Sequence, residues 1–153
     1  MIIIFLFTGC NNETFVKHNY YLVLSEQGDY WNLDSYKIEI TPEKFKAGDG
    51  IVSVKNEPEY KINYFDLEVH AVINGEDKVI QRKAVTHVGG DTGISEIHNG
   101  SMEESNDLSK NGKAIKLNNI SEVYAIIKWN GETGNKTMEE KINLYSKETS
   151  HKK

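Results

Sequence analysis

Residues 62–73 carry the most regular pattern in the chain, with Phe65, Leu67, Val69, Ala71 and Ile73 on one phase and Asp66, Glu68 and His70 on the other. A period of two describes a strand with one buried and one wet face. Asn74-Gly75 follows at once. Both residues tolerate the positive φ of a type I′ turn, so residues 78–88 are expected to return as the second arm of a hairpin. Within 31–41, Tyr36, Ile38 and Ile40 alternate with Lys37 and Glu39, whereas Trp31 and Leu33 fall on the opposite phase. That reversal predicts a bulge or twist near Asp34-Ser35, and Pro42 ends the strand.

Weaker patterns fill the rest. Tyr20, Leu22 and Leu24 alternate with Tyr21, Val23 and Ser25, so both faces carry apolar residues, as in a strand lying within a sandwich. Turn residues 25–29 separate it from Trp31. Residues 48–55 read as a turn and a short strand, closed by Glu57-Pro58-Glu59. Val123, Ala125, Ile127 and Trp129, alternating with Tyr124, Ile126 and Lys128, describe a central strand. The last strand, 138–145, has Met138, Ile142 and Leu144 in phase and Glu140 as an exception. Between 89 and 119 the period is lost among glycines and small polar residues, and a long loop of this kind is usually functional. A helical turn is expected inside it over 102–108, with Ser101 as N-cap and Glu104 as its capping-box partner. About eight strands and no long helix predict an all-β, antiparallel sandwich over 18–145, followed by a polar tail at 146–153.

Ahead of this domain stands Met1-Ile2-Ile3-Ile4-Phe5-Leu6-Phe7-Thr8-Gly9-Cys10. An apolar run ending in small residues before a cysteine resembles the C-terminal half of a bacterial lipoprotein signal peptide. Residues 1–9 would be removed, Cys10 would take a diacylglyceryl group on its sulfur, and 10–17 would tether the lipid to the fold. Two acyl chains suffice for stable anchoring, each buried methylene contributing about 0.8 kcal/mol. The run is too short to span a bilayer, which takes about 20 apolar residues. It also lacks a basic head, so the signal is expected to extend upstream of Met1. The competing reading makes 2–7 a buried first strand and Cys10 a core thiol.

Charge and composition narrow the partners. A formal net charge of -5 on 153 residues, with 27% charged and 38% hydrophobic side chains, describes a soluble globular domain. It argues against nucleic acid, which calls for a clustered basic face. Cys10 is the only cysteine, so no internal disulfide forms and packing alone must hold an exported fold.

No motif assigns a reaction, a cofactor or a metal. The five histidines lack metal-ligand spacing. His70 and His87 flank the Asn74-Gly75 turn, but symmetric pairing places His70 opposite residue 79. Gly89-Gly90-Asp91-Thr92-Gly93 lacks the lysine and helix of a phosphate loop. Glu103, Glu104 and Asp107 do not follow the order of a calcium loop. Tyr20, Tyr21, Tyr30 and Trp31 are candidates for a surface aromatic patch, since rigid rings give contact area at low entropy cost. Asp91 is a candidate contact in the glycine loop.

Together the cysteine signal, the tyrosine-rich first strand, Ser25 to Trp31 (Ser-Glu-x-Gly-x-x-Trp), Gly89 to Gly93 (Gly-Gly-x-Thr-Gly) and Ile127-Lys128-Trp129-Asn130-Gly131 resemble a group of small lipoproteins of Bacillus and related Gram-positive bacteria. The final turn, 130–137, is longer here than in that group. The resemblance implies an immunoglobulin-like sandwich held on the outer face of the cell membrane, and no reaction. The expected function is a non-catalytic module that binds a protein, peptide or cell-wall component through the 89–119 loop or an aromatic face. The alternatives are an accessory subunit of an envelope complex, or a small metal-dependent hydrolase built on His87, Asp91 and His98.

Overall fold

A computed structural model describes residues 20–56, 61–86, 95–106, 113–131 and 134–150. Cys10 with its signal and tether, His87 and Asp91 lie outside the described residues. The fold is all-β, with two antiparallel sheets enclosing one apolar core. The strands are β1 (Tyr20–Gln27), β2 (Trp31–Ile40), β3 (Lys44–Gly48), β4 (Ile51–Val54), β5 (Ile62–Ile73), β6 (Glu76–Thr86), β7 (Glu96–His98), β8 (Ser101–Ser105), β9 (Ile120–Gly131) and β10 (Thr137–Ser146), with a 3-10 turn at Leu117–Asn119 ahead of β9 and a helical turn, α1 (Lys147–Ser150), after β10.

One sheet is ordered β10-β9-β5-β6. The other contains six segments that lie in only four rows. β1 pairs along one edge of β2, so β3 and β4 must share the opposite edge, and they do so in one unbroken register: Ile40↔Phe45 through Lys37↔Gly48, then Asp34↔Ile51 through Trp31↔Val54. β8 and β7 continue this row by row, Phe45↔Glu104 and Ala47↔Met102 on one side of Gly50, Val52↔Ile97 on the other. Against about eight strands expected from the pattern, the described residues form ten, lying in eight rows of which two are broken.

The break is a crease running across the sheet. β1 is bulged between Leu24 and Glu26. Beside that bulge Ser35 (φ 56°), Asp49 (φ 56°) and Gly100 (φ 66°) all adopt left-handed backbone. Ser25 Oγ accepts from Ser35 N at 2.9 Å, and Asp49 N donates to Gly100 O at 2.7 Å, so the ladder is bridged rather than lost. Each left-handed residue reverses the side-chain phase. Trp31 and Leu33 on one side, and Tyr36, Ile38 and Ile40 on the other, consequently all point into the core. The Asp34-Ser35 bulge read from the sequence is this reversal.

Three expectations are corrected. The helical turn expected over 102–108 is replaced in its described part by strand: 101–105 is β8, because its backbone pairs with β3, while 107 and 108 lie outside the described residues. β1 is an edge strand, with Tyr21 and Val23 exposed, rather than a strand covered on both faces. Lys44-Phe45-Lys46-Ala47, unassigned in the pattern, is β3.

Side chains staple the sheets at both open sides. A bulge in β6 next to Ile80 turns Gln81 inward, where its Nε2 donates to Asn99 O (2.9 Å) and Gly100 O (2.7 Å) at the crease. On the other side the Glu140 carboxylate of β10 accepts from three successive backbone N–H groups leading into β2. The partners are Asp29 N, Tyr30 N (3.2 Å) and Trp31 N (3.0 Å). The phase exception at Glu140 is thus a cross-sheet clamp. Glu140→Ala is expected to lose about 2 kcal/mol, since charge-assisted hydrogen bonds are worth about 1.5–3 kcal/mol each and water partly compensates here. Urea unfolding measures it, and faster amide exchange confined to 29–31 assigns it to the clamp.

Candidate functional site

The sequence candidates do not form one surface. Tyr20 and Tyr21 pair with Ile40 and Glu39 at one end of β2. Tyr30 and Trp31 stand at its other end, roughly 25 Å away at about 3.3 Å per residue. Tyr21 (59%) and Tyr30 (60%) are exposed, Tyr20 is half-buried, and Trp31 is 1% exposed, which removes it from any surface patch. Tyr21 lines a cleft of about 190 Å³ with Lys37, Glu39, Lys46, Gly48 and Asp49 on the outer face of the creased sheet. His98 is exposed on β7, its Nε2 3.8 Å from Glu96. Among the described residues no three His, Cys, Asp or Glu side chains are placed to hold a metal.

The densest set of ionisable groups lies instead on the outer face of the β10-β9-β5-β6 sheet. Strand alternation puts Tyr64, Asp66, Glu68 and His70 of β5 on this face. Register then supplies their partners: Glu68↔Arg82 from β6 and His70↔Tyr124 from β9. Arg82 forks onto Asp66 (Nε to Oδ1 3.1 Å, second nitrogen to Oδ2 2.9 Å), and Tyr64 Oη donates to the same carboxylate at 3.2 Å. His70 stacks on Tyr124 (4.8 Å, 9°) with Nδ1 3.1 Å from Asp77 Oδ1. Tyr124 Oη donates to Asp77 Oδ2 at 2.6 Å, and Lys141 Nζ sits 3.9 Å above the Tyr124 ring.

A carboxylate holding Nδ1 of an imidazole is what a general base requires, with Nε2 presented to a substrate. Here Nε2 is buried and makes no hydrogen bond, and Glu68 Oε2 stands 3.5 Å from it. The cluster is closed on itself and acts as a polar weld across β5, β6 and β9.

The weld has a pH signature. The Arg82 fork holds the Asp66 carboxyl below the usual range, and the Tyr124 hydroxyl does the same to Asp77. Both contribute stability that is present above the unfolded value near 4 and lost as pH falls through the lower folded values. Tyr124 is pushed up to about 12 by its bond to Asp77. Its contribution is complete below the unfolded value of about 10 and disappears as pH rises towards 12. In urea-unfolding series against pH, Tyr124→Phe is expected to remove the Tyr124 part of the alkaline loss, leaving the part due to Tyr36, whose hydroxyl burial also pushes up, and to move the Asp77 part of the acid loss to higher pH. An unchanged profile would refute the pairing.

The sequence reading recognised Asp66, Glu68 and His70 as a wet face but not Asp77, Arg82, Tyr124 or Lys141 as their partners. No local spacing connects these residues, and only the sheet register does. No protein-family model matches the chain, and comparison with curated proteins and with solved structures likewise finds no match.

Proposed function

We propose that the chain is a lipid-anchored extracytoplasmic module with an immunoglobulin-like sandwich that acts by binding, without catalysis. The observation that carries the binding reading is a contrast between two kinds of surface. The richest acid–base cluster is consumed in its own hydrogen bonds, while Val79 and Met102 keep apolar surface in water along one shared groove. Exposed apolar groups beside polar rims are what association uses.

Strand order supports the immunoglobulin-like reading. The chain crosses between sheets after β4, β6 and β8, leaving β7/β8 beside β3/β4 and β9 beside β5. Taking β2, β3/β4 and β7/β8 as strands A, B and E leaves β5, β9 and β10 as C, F and G, with β6 beside C, and β1 becomes an addition to the edge. The anchor rests on the apolar run before Cys10.

Cells expressing the protein are expected to incorporate labelled palmitate into it, and the Cys10→Ser variant is expected to lose that label while keeping the fold. Label retained by Cys10→Ser overturns the anchor.

A further inference from the structure

The sandwich is open along the side where β8 faces β6. Glu104 and Met102 pair with Phe45 and Ala47, both buried, and therefore lie on the inward-facing side of their sheet. Phe45 and Ala47 are covered there, whereas β8 is exposed at all five residues. Past the Gln81 staple the two sheets leave a groove of about 50 Å³ lined by Phe45, Ile80, Val79, Met102, Lys78 and Glu104. Val79 and Met102 at its rim are 53% and 42% exposed. Among the described residues β8 pairs only with β3, so its outer backbone edge faces away from the sheet.

Charge selects what fits. Glu103, on the outward phase, is matched by Lys44 at 2.8 Å. Among the described residues the Glu104 side chain, on the inward phase, makes no hydrogen bond or ion pair, whereas Lys78, which lines the same groove, is already engaged. A second copy is a poor occupant. Antiparallel pairing of β8 with itself sets Glu103 against Glu103 or Glu104, and like charges directly opposite are destabilising. The net charge of -5 adds to that repulsion.

We propose that β8 and this groove bind an extended basic peptide segment as an added strand. Its backbone pairs with Ser101–Ser105. Facing side chains on neighbouring strands share a side and repeat every second residue. The segment therefore carries Lys or Arg opposite Glu104 and an apolar residue two positions away, opposite Met102, where a thioether adapts to varied shapes. The proposal names a partner class for the binding module above and rests on that reading, but not on the lipid anchor.

The test is a fluorescence-anisotropy titration of the full chain with the labelled, end-capped peptide Ser-Lys-Thr-Val-Thr-Lys-Ser and its counterpart with Glu in place of Lys. The basic peptide is expected to bind saturably, and the acidic one at least about tenfold more weakly. Glu104→Lys is expected to reverse that preference, and Val79→Ser, which removes apolar surface without adding charge, to weaken the basic peptide about fivefold. Both positions are exposed, and circular dichroism checks that both variants fold. Equal binding of the two peptides, indifference to Glu104→Lys, no binding at millimolar peptide, or a β8-mediated dimer of the chain would each overturn the proposal. Because palmitate labelling is read separately, a chain that is labelled but does not bind peptide loses this site and keeps its anchor.

Discussion

Trp31→Ala is expected to lose about 3–5 kcal/mol of stability, the range for truncating a fully buried large aromatic side chain. Trp31 projects from one sheet onto the other, its ring edge-on to Trp129 (5.7 Å, 79°) and Phe65 (5.2 Å, 61°). Such aromatic pairs add about 0.5–1.5 kcal/mol beyond area burial. A domain of this size has about 5–15 kcal/mol in total, so the variant approaches the threshold of folding. Urea unfolding followed by the remaining tryptophan measures the loss. Tyr21→Ala, from the exposed end of the same predicted aromatic group, is expected to stay within about 0.5 kcal/mol of the parent, as ordinary surface changes do. The pair of variants separates two roles that look alike in sequence. A contact residue at Trp31 would leave stability intact, whereas a cross-sheet wedge dominates it.

Where the period of two ran uninterrupted, the chain could be read without its structure. β5 occupies the residues its alternation marked, Ile62–Ile73. The Asn74-Gly75 turn has the positive φ values its residues invite (52° and 80°), and His70 lies opposite Val79 as symmetric pairing required. Across the crease the reading was partial: the Asp34-Ser35 reversal and the short strand at β4 were read, whereas β3 and β8 were not. β3 and β4, and likewise β7 and β8, are halves of rows whose side chains change sides at Asp49-Gly50 and Asn99-Gly100, so neither half is long enough to show a period of its own. Ser101 and Glu104 fit the spacing of a helix cap equally well, and hydrogen bonding to β3, a non-local term, decides for strand. The polar weld was hidden for a related reason. His70, Asp77 and Tyr124 meet through the registers of three strands, and the identity of each gives no hint of the others.

The crease is also where the largest backbone effect is expected. Gly48 lies in the left-handed half of φ space at 134°, and a Cβ built there would stand 2.2 Å from Gly100 O and 2.6 Å from Ser101 Cα. Both obstacles are backbone of the neighbouring row, so no rotamer change relieves them, and β8 would have to move away from β3. Strain at a glycine-only conformation costs about 1–3 kcal/mol and forced overpacking about the same again. Gly48→Ala is therefore expected to lose about 4 kcal/mol, with amide exchange rising first in Ser101–Ser105. Gly100→Ala is the informative control. Gly100 is also left-handed (φ 66°) but has open space where its Cβ would go. It carries the conformational penalty alone, about 1–2 kcal/mol. If the two variants lose equal stability, φ strain accounts for both and the rows are not in close contact. A clear excess at Gly48 shows that the crease holds β8 in place through backbone contact, with the β8 edge built upon it.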